Sequence, residues 1–187
     1  MAGWLGFAGA GWAGLGFVRD LRALRGVVRG RLVGMVGWHH YRFRSSWTFA
    51  APPDAVYAVL ERAEEYPAWW PQVRAAEAEG EFSGSLRVRS FLPYDLLLAA
   101  RATRRDPVAR VLEIAMTGDL EGWARWTVRA GARGEGCRAL FEQEVELCKP
   151  FLRRLGLPCR PFLVLNHALM MRGGQRGLRA LLGVGPG

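Results

Sequence analysis

Two periodicities organise the chain from residue 39 onward. In YRFRSSWTF, Tyr41, Phe43, Ser45, Trp47 and Phe49 fall on one side and Arg42, Arg44, Ser46 and Thr48 on the other. Alternation with a period of two predicts a half-buried strand. The period then changes in APPDAVYAVLERAEEY, where Val56, Val59, Leu60 and Ala63 recur at helical spacing. Prolines suit the first turn of a helix because their missing N–H has no partner there, so a short amphipathic helix is predicted. The following EEYPAWWPQV crowds Tyr66, Trp69 and Trp70 around Pro67 and Pro71. The prolines argue for an irregular loop, with three rings that each bury about 150–250 Å² at one end of the fold.

Six further segments have period-two or continuous apolar character: 74–82, 85–92, 96–105, 110–117, 121–130 and 137–147. The turn signals GEFSG, RDP, TGD and ARGEG separate most of them. Strands this close in sequence need hairpin connections, which predicts a largely antiparallel, curved sheet of seven strands. The chain finishes in RPFLVLNHALMMRGGQRGLRALLG, a long helix opened by Pro161. A sheet with one apolar face must cover it, and this last helix is the element long enough to do so.

The inward sides follow from the same periodicities. On the last helix Arg172, Arg176 and Arg179 mark the wet face, and Leu163, His167, Met170, Gly174, Leu178 and Leu181 form the opposite stripe. On the strands, Leu96, Leu98, Ala100 and Ala102 point inward, as do Leu112, Ile114 and Met116. Trp126 points inward with Ala124 and Val128, whereas Trp123 shares the other face with Arg125. In the last strand Glu142, Glu144 and Glu146 alternate with Phe141, Gln143, Val145 and Leu147, which projects a polar Gln143 among apolar neighbours. His167 stands in the apolar stripe, where an unpartnered imidazole costs about 1–3 kcal/mol. It therefore has a partner or faces a wet site, and Asn166 beside it lies at the border of the stripe. Met170 and Met171 are adaptable fillers suited to an irregular wall. Gly173, Gly174 and Gly177 weaken the helix, which implies close approach by a strand or room for a ligand.

The order of these elements, together with APPDAVYAVLERAEEYPAWWPQV and NHALMMRGGQRGLRALL, resembles the START-like, or SRPBCC, superfamily, in particular its polyketide cyclase/dehydrase and lipid-transport branch. The resemblance covers about residues 39–183. It implies an α+β helix-grip fold, with a seven-stranded antiparallel sheet wrapped around the C-terminal helix. It also implies a cavity between the two that relatives use to hold lipids, quinones, polyketides or hormones.

Charge changes the picture less than its size suggests. The formal charge is +9, but residues 1–44 hold seven arginines against Asp20, and the other 143 residues hold nineteen basic and sixteen acidic side chains. Lys149 is the single lysine beside 25 arginines, a usage that reflects coding bias more than phosphate recognition, so nucleic acid is not the expected partner. Cys137, Cys148 and Cys159 are odd in number and widely spaced, which predicts neither a disulfide framework nor a zinc site, and a reducing cytoplasmic setting. No metal or cofactor is expected, and nothing in the pattern fixes an oligomeric state.

Residues 1–38 form a separate extension. The first eighteen carry no charge and six glycines, with arginines after the apolar run, an order opposite to that of a secretory signal. From 18 to 33, Arg19, Arg22, Arg25 and Arg29 share one helical face, with Leu21, Leu24, Val28 and Leu32 opposite or flanking. Two readings stay open: a poorly ordered extension or over-extended start, or an amphipathic helix through which residues 1–33 touch an anionic membrane.

Three functions compete. The first is binding or carriage of a hydrophobic small molecule, with contacts from Tyr66, Trp69, Trp70, Met116, Trp126, Gln143, Asn166, His167, Met170, Met171 and Gly174. The second is a polyketide aromatase/cyclase, with His167 as general base and Gln143 or Tyr66 donating to an enolate oxygen. The third is a membrane-docked lipid or quinone chaperone.

Overall fold

The computed structural model describes residues 39–89, 95–131, 135–148 and 160–183, and the expectations for 1–38 and for the end of the 85–92 strand lie outside them. Strand β1 (His40–Phe49) leads into helix α1 (Pro53–Glu61), a 3-10 turn (Ala63–Glu65) and the one-turn helix α2 (Tyr66–Trp69). Strands β2 (Val73–Ala78), β3 (Ser83–Arg89), β4 (Asp95–Asp106), β5 (Val111–Gly118), β6 (Leu120–Ala130) and β7 (Cys137–Leu147) follow, and α3 (Arg160–Leu181) closes the order.

The tryptophan segment is more regular than its prolines predict. Pro67 occupies the second position of α2, where no intrahelical donor is required, and the turn is closed by the Trp70 N–H on the Tyr66 carbonyl at 2.7 Å. The preceding helix is shorter than its apolar spacing suggests, because Arg62 leaves the helical region at φ −91° and ψ 76°.

The strands form one antiparallel sheet in the order β1-β7-β6-β5-β4-β3-β2. From β2 to β7 it is a meander of hairpins, but β1 lies beside β7, so α1 and α2 carry the chain from one edge of the sheet to the other. Cross-strand register assembles the inner face in rows: Phe43, Gln143, Ala124, Ile114 and Ala102 form one, and Ser45, Phe141, Trp126 and Leu112 the next. The outer face carries the charges in paired form, with Glu144 accepting from Arg42 at 3.1 Å and from His40 at 2.9 Å, and Arg125 donating to Glu113 at 2.7 Å. Such exposed pairs contribute about 0–1 kcal/mol each and chiefly account for the alternate glutamates of β7.

The core lies between the inner face and α3. Trp47, Phe49, Val56, Leu60, Trp126, Val128, Ala139 and Leu178 are buried there. Helix α1 is fixed at its end by Glu61, which accepts from Arg105 at 2.7 Å and from the Tyr57 hydroxyl at 3.1 Å. The helix-grip architecture expected from the sequence is therefore present, with β1 and β2 as its two edges.

Candidate functional site

Helix α3 presents Leu163, His167, Met170, Met171, Gly174 and Leu178 to the core, and Leu182 just past its end also packs there. Leu181, expected in this stripe, is exposed instead. Leu181 is five whole turns from the half-buried Leu163 and so has the direction of the stripe, but it is the last residue of α3, and its exposure comes with the helix end. Arg172 and Arg176 are exposed as expected, and Arg179 donates to the Thr48 carbonyl at 3.2 Å.

His167 is buried against two phenylalanines. Its ring stacks on Phe43 with centroids 3.9 Å apart and planes at 10°, and on Phe141 at 5.9 Å and 26°. Its Nε2 has no hydrogen-bond partner. Burial pushes the imidazole pKa down to about 4, because a charged ring would lose its hydration with nothing to replace it. The group is neutral at pH 7. Gln143 on β7 is also buried and is the cross-strand register partner of Phe43, the residue on which His167 stacks. Asn166, half-buried, lies at the border of the stripe.

The other aromatic groups extend this cluster into a continuous run. Phe141 lies 4.8 Å from Trp126, Trp126 4.6 Å from Trp47, and Trp47 5.5 Å from Trp70. Trp69 and Trp70 stack at 5.5 Å, and Tyr66 meets Trp69 at 5.0 Å. Trp123 lies on the outer face beneath the Arg125 guanidinium, 5.1 Å from its ring centre. Met116 is buried one row from Gln143, next to Gly122 and Ala100 in the register.

Trp69 and Trp70 pack against the glycines of α3. A Cβ on Gly174 would stand 2.5 Å from Trp70 and 2.9 Å from Trp47, one on Gly177 would overlap the Trp69 carbonyl oxygen, and one on Gly173 would overlap the Gln72 side chain. The space beside these glycines is thus taken by the α2 segment and by rings, not by a strand backbone or an open chamber. Trp70 Nε1 donates to the Met170 carbonyl at 2.9 Å, which locks the segment to the helix. Replacing Trp70 with phenylalanine deletes that bond and leaves part of the indole's space empty in the core; a loss of about 2–3 kcal/mol is expected in urea unfolding. Tyr66 does not fit the role of donor to an enolate, because its hydroxyl donates to the Leu60 carbonyl at 2.6 Å. Burial and the nearby Glu64 carboxylate raise its pKa further from neutrality.

Phe43 and Phe141, which frame His167, were legible as inward residues, but their contact with the histidine depends on long-range register that alternation does not encode. Among the described residues no group of three metal-ligating side chains converges, and no helix is long and apolar enough to cross a membrane.

The fold is similar to that of the Zhui aromatase/cyclase from Streptomyces sp. R1128, with 17% identity and a TM-score of 0.62 over 75% of this chain and 92% of that one. It is also similar to a START superfamily protein from Mycobacterium smegmatis, with 14% identity and a TM-score of 0.56 over 76% and 95% of the two chains. No curated protein matches the chain in sequence. The family described as polyketide cyclase/dehydrase and lipid transport matches residues 40–182, a span that takes in every described strand and helix, and the chain belongs to that family.

Proposed function

We propose that this domain binds a hydrophobic small molecule between the inner face of the sheet and α3. The observation that carries this reading is the incomplete burial of side chains where burial is expected. Ala100 and Ala102 on β4, and Leu112 and Ile114 on β5, belong to interior strands and face the helix side, yet each is only half-buried. Inner-face residues of interior strands keep water access only where the interior is not filled. An apolar ligand body would lie on these residues and on Phe43 and Phe141. A single polar atom of the ligand would bond His167 Nε2, relieving a buried nitrogen that has no protein partner. Gln143, buried on the inner face beside Phe43 in the register, supplies a second orienting group.

Titration with the apolar fluorophore N-phenyl-1-naphthylamine tests the reading. Saturable binding of one probe per chain is expected, and Ile114→Trp, which fills the proposed space from a central strand, is expected to weaken it by at least about tenfold, or 1.4 kcal/mol. Equal affinity in Ile114→Trp, or no saturable binding by the unaltered protein, contradicts it. Native mass spectrometry of protein purified from its own cell then identifies the natural ligand.

A cyclase reading draws on the same Nε2. A base whose proton affinity is depressed to about 4 is poorly matched to proton abstraction near neutrality, and among the described residues no carboxylate forms an ion pair with it. Binding and orientation are the tasks to which the site is better suited.

A further inference from the structure

The grip face of α3 accounts for only half of that helix. Its solvent side carries Phe162, Leu165 and Leu169, which are 57%, 50% and 38% exposed. Their spacing of three and four places them on one stripe, and the same stripe continues through Arg172 and Arg176, both exposed. The outward surface is therefore apolar along its first turns and cationic along its later ones. This is the reverse of an ordinary solvated face, where large apolar side chains stand singly. The surrounding sequence extends the charge: from residue 147 to the end there are seven basic side chains and no acidic one, whereas 45–146 holds twelve basic and sixteen acidic. The positive charge outside residues 1–44 is thus concentrated in this C-terminal stretch of the sequence.

We infer that the outer stripe of α3, from Phe162 to Arg176, is a docking surface for an anionic lipid bilayer. The apolar side chains enter the headgroup and acyl boundary, and the arginines remain among the anionic headgroups, the division of labour found in interfacial helices. The cationic end of the stripe and the absence of acidic residues from 147 onward select an anionic partner. A second copy would set like charges face to face at Arg172 and Arg176, which disfavours a dimer through this stripe. The contact is peripheral, and it does not depend on occupancy of the interior site.

Flotation of the full chain with vesicles distinguishes these outcomes. Strong binding is expected to vesicles of phosphatidylcholine mixed with phosphatidylglycerol and weak binding to phosphatidylcholine alone, with loss at high salt. Arg172→Gln combined with Arg176→Gln is expected to lower affinity for the anionic vesicles about 25-fold, roughly fivefold per arginine. Phe162→Ser with Leu165→Ser and Leu169→Ser is expected to lower it at least about tenfold. All five side chains are exposed, so circular dichroism should show the fold retained. Binding equal to wild type in both variants would place membrane contact elsewhere, on residues 1–33 among other segments, and overturns the inference. Absence of vesicle binding by the wild type, or a dimer that either variant dissolves, overturns it as well.

Discussion

Taking the protein from pH 7 to pH 4 is expected to remove about 3 kcal/mol of folding stability through His167 alone. The imidazole titrates near 6.5 in an unfolded chain and at about 4 in the fold. Above pH 6.5 both states are neutral and the residue contributes no pH dependence. As pH falls below 6.5 the unfolded chain takes up a proton that the native site refuses, so the unfolded state is favoured until the folded pKa is reached. A difference of about 2.5 units at 1.36 kcal/mol each sets the size. Asp54, Glu61 and Asp106 also lose native contacts in acid, because hydrogen bonds and arginine neighbours hold their carboxyls below the usual range. Their losses begin lower, near and below the ordinary carboxylate pKa. Urea titrations between pH 6.5 and 5 therefore isolate the histidine, and His167→Phe should flatten that part of the curve. Parallel curves for the two proteins would mean that the native imidazole does accept the proton. A bound ligand that accepts from or donates to Nε2 should change the slope in the same window.

Gly177→Ala should destabilise the fold by about 3 kcal/mol, against the direction of helix propensity. In an exposed helix interior the change stabilises by about 1 kcal/mol, because alanine restricts the unfolded chain more than glycine. Here the added methyl overlaps the carbonyl oxygen of Trp69, a backbone atom held by the α2 turn and by the rings on either side of it. Either α2 withdraws, breaking the Trp70 to Met170 bond, or α3 shifts away from the core, and both belong to the costlier cases of overpacking. Thermal or denaturant unfolding reads the result. A gain in stability would mean that α2 yields without loss.

These two residues also mark what could be read from the chain unaided. The inward positions on β1, β5, β6 and β7 followed from alternation, because side-chain direction in a strand is a local property with a fixed period. Gln143 was found that way, as a polar residue on the apolar phase of a strand otherwise dotted with glutamate. Gly177 could be recognised as a residue with a structural reason, but not its reason, since Trp69 is distant in sequence and its approach depends on tertiary packing. The phenylalanines around His167 were hidden for the same cause: Phe43 meets Gln143 through a pairing that spans most of the domain. The α2 turn was missed because proline was weighed as a breaker, while its position at the start of a turn made it neutral. Leu181 keeps the direction of the stripe, five turns from Leu163, but periodicity does not show that the helix ends there.

The pairing of β1 with β7 also shapes how the protein is made. His40 finds its partner in Glu146, about a hundred residues later, so the earliest strand to leave the ribosome waits for the latest. Until Cys137–Leu147 emerges, one edge of β1 offers unmatched N–H and C=O groups, and its side chains Trp47 and Phe49 have no finished core to enter. A topology that closes through its termini commits late and folds slowly relative to a helical bundle of the same size. Truncation before residue 137 leaves the opening strand without its mate, and such fragments should aggregate instead of persisting as smaller domains.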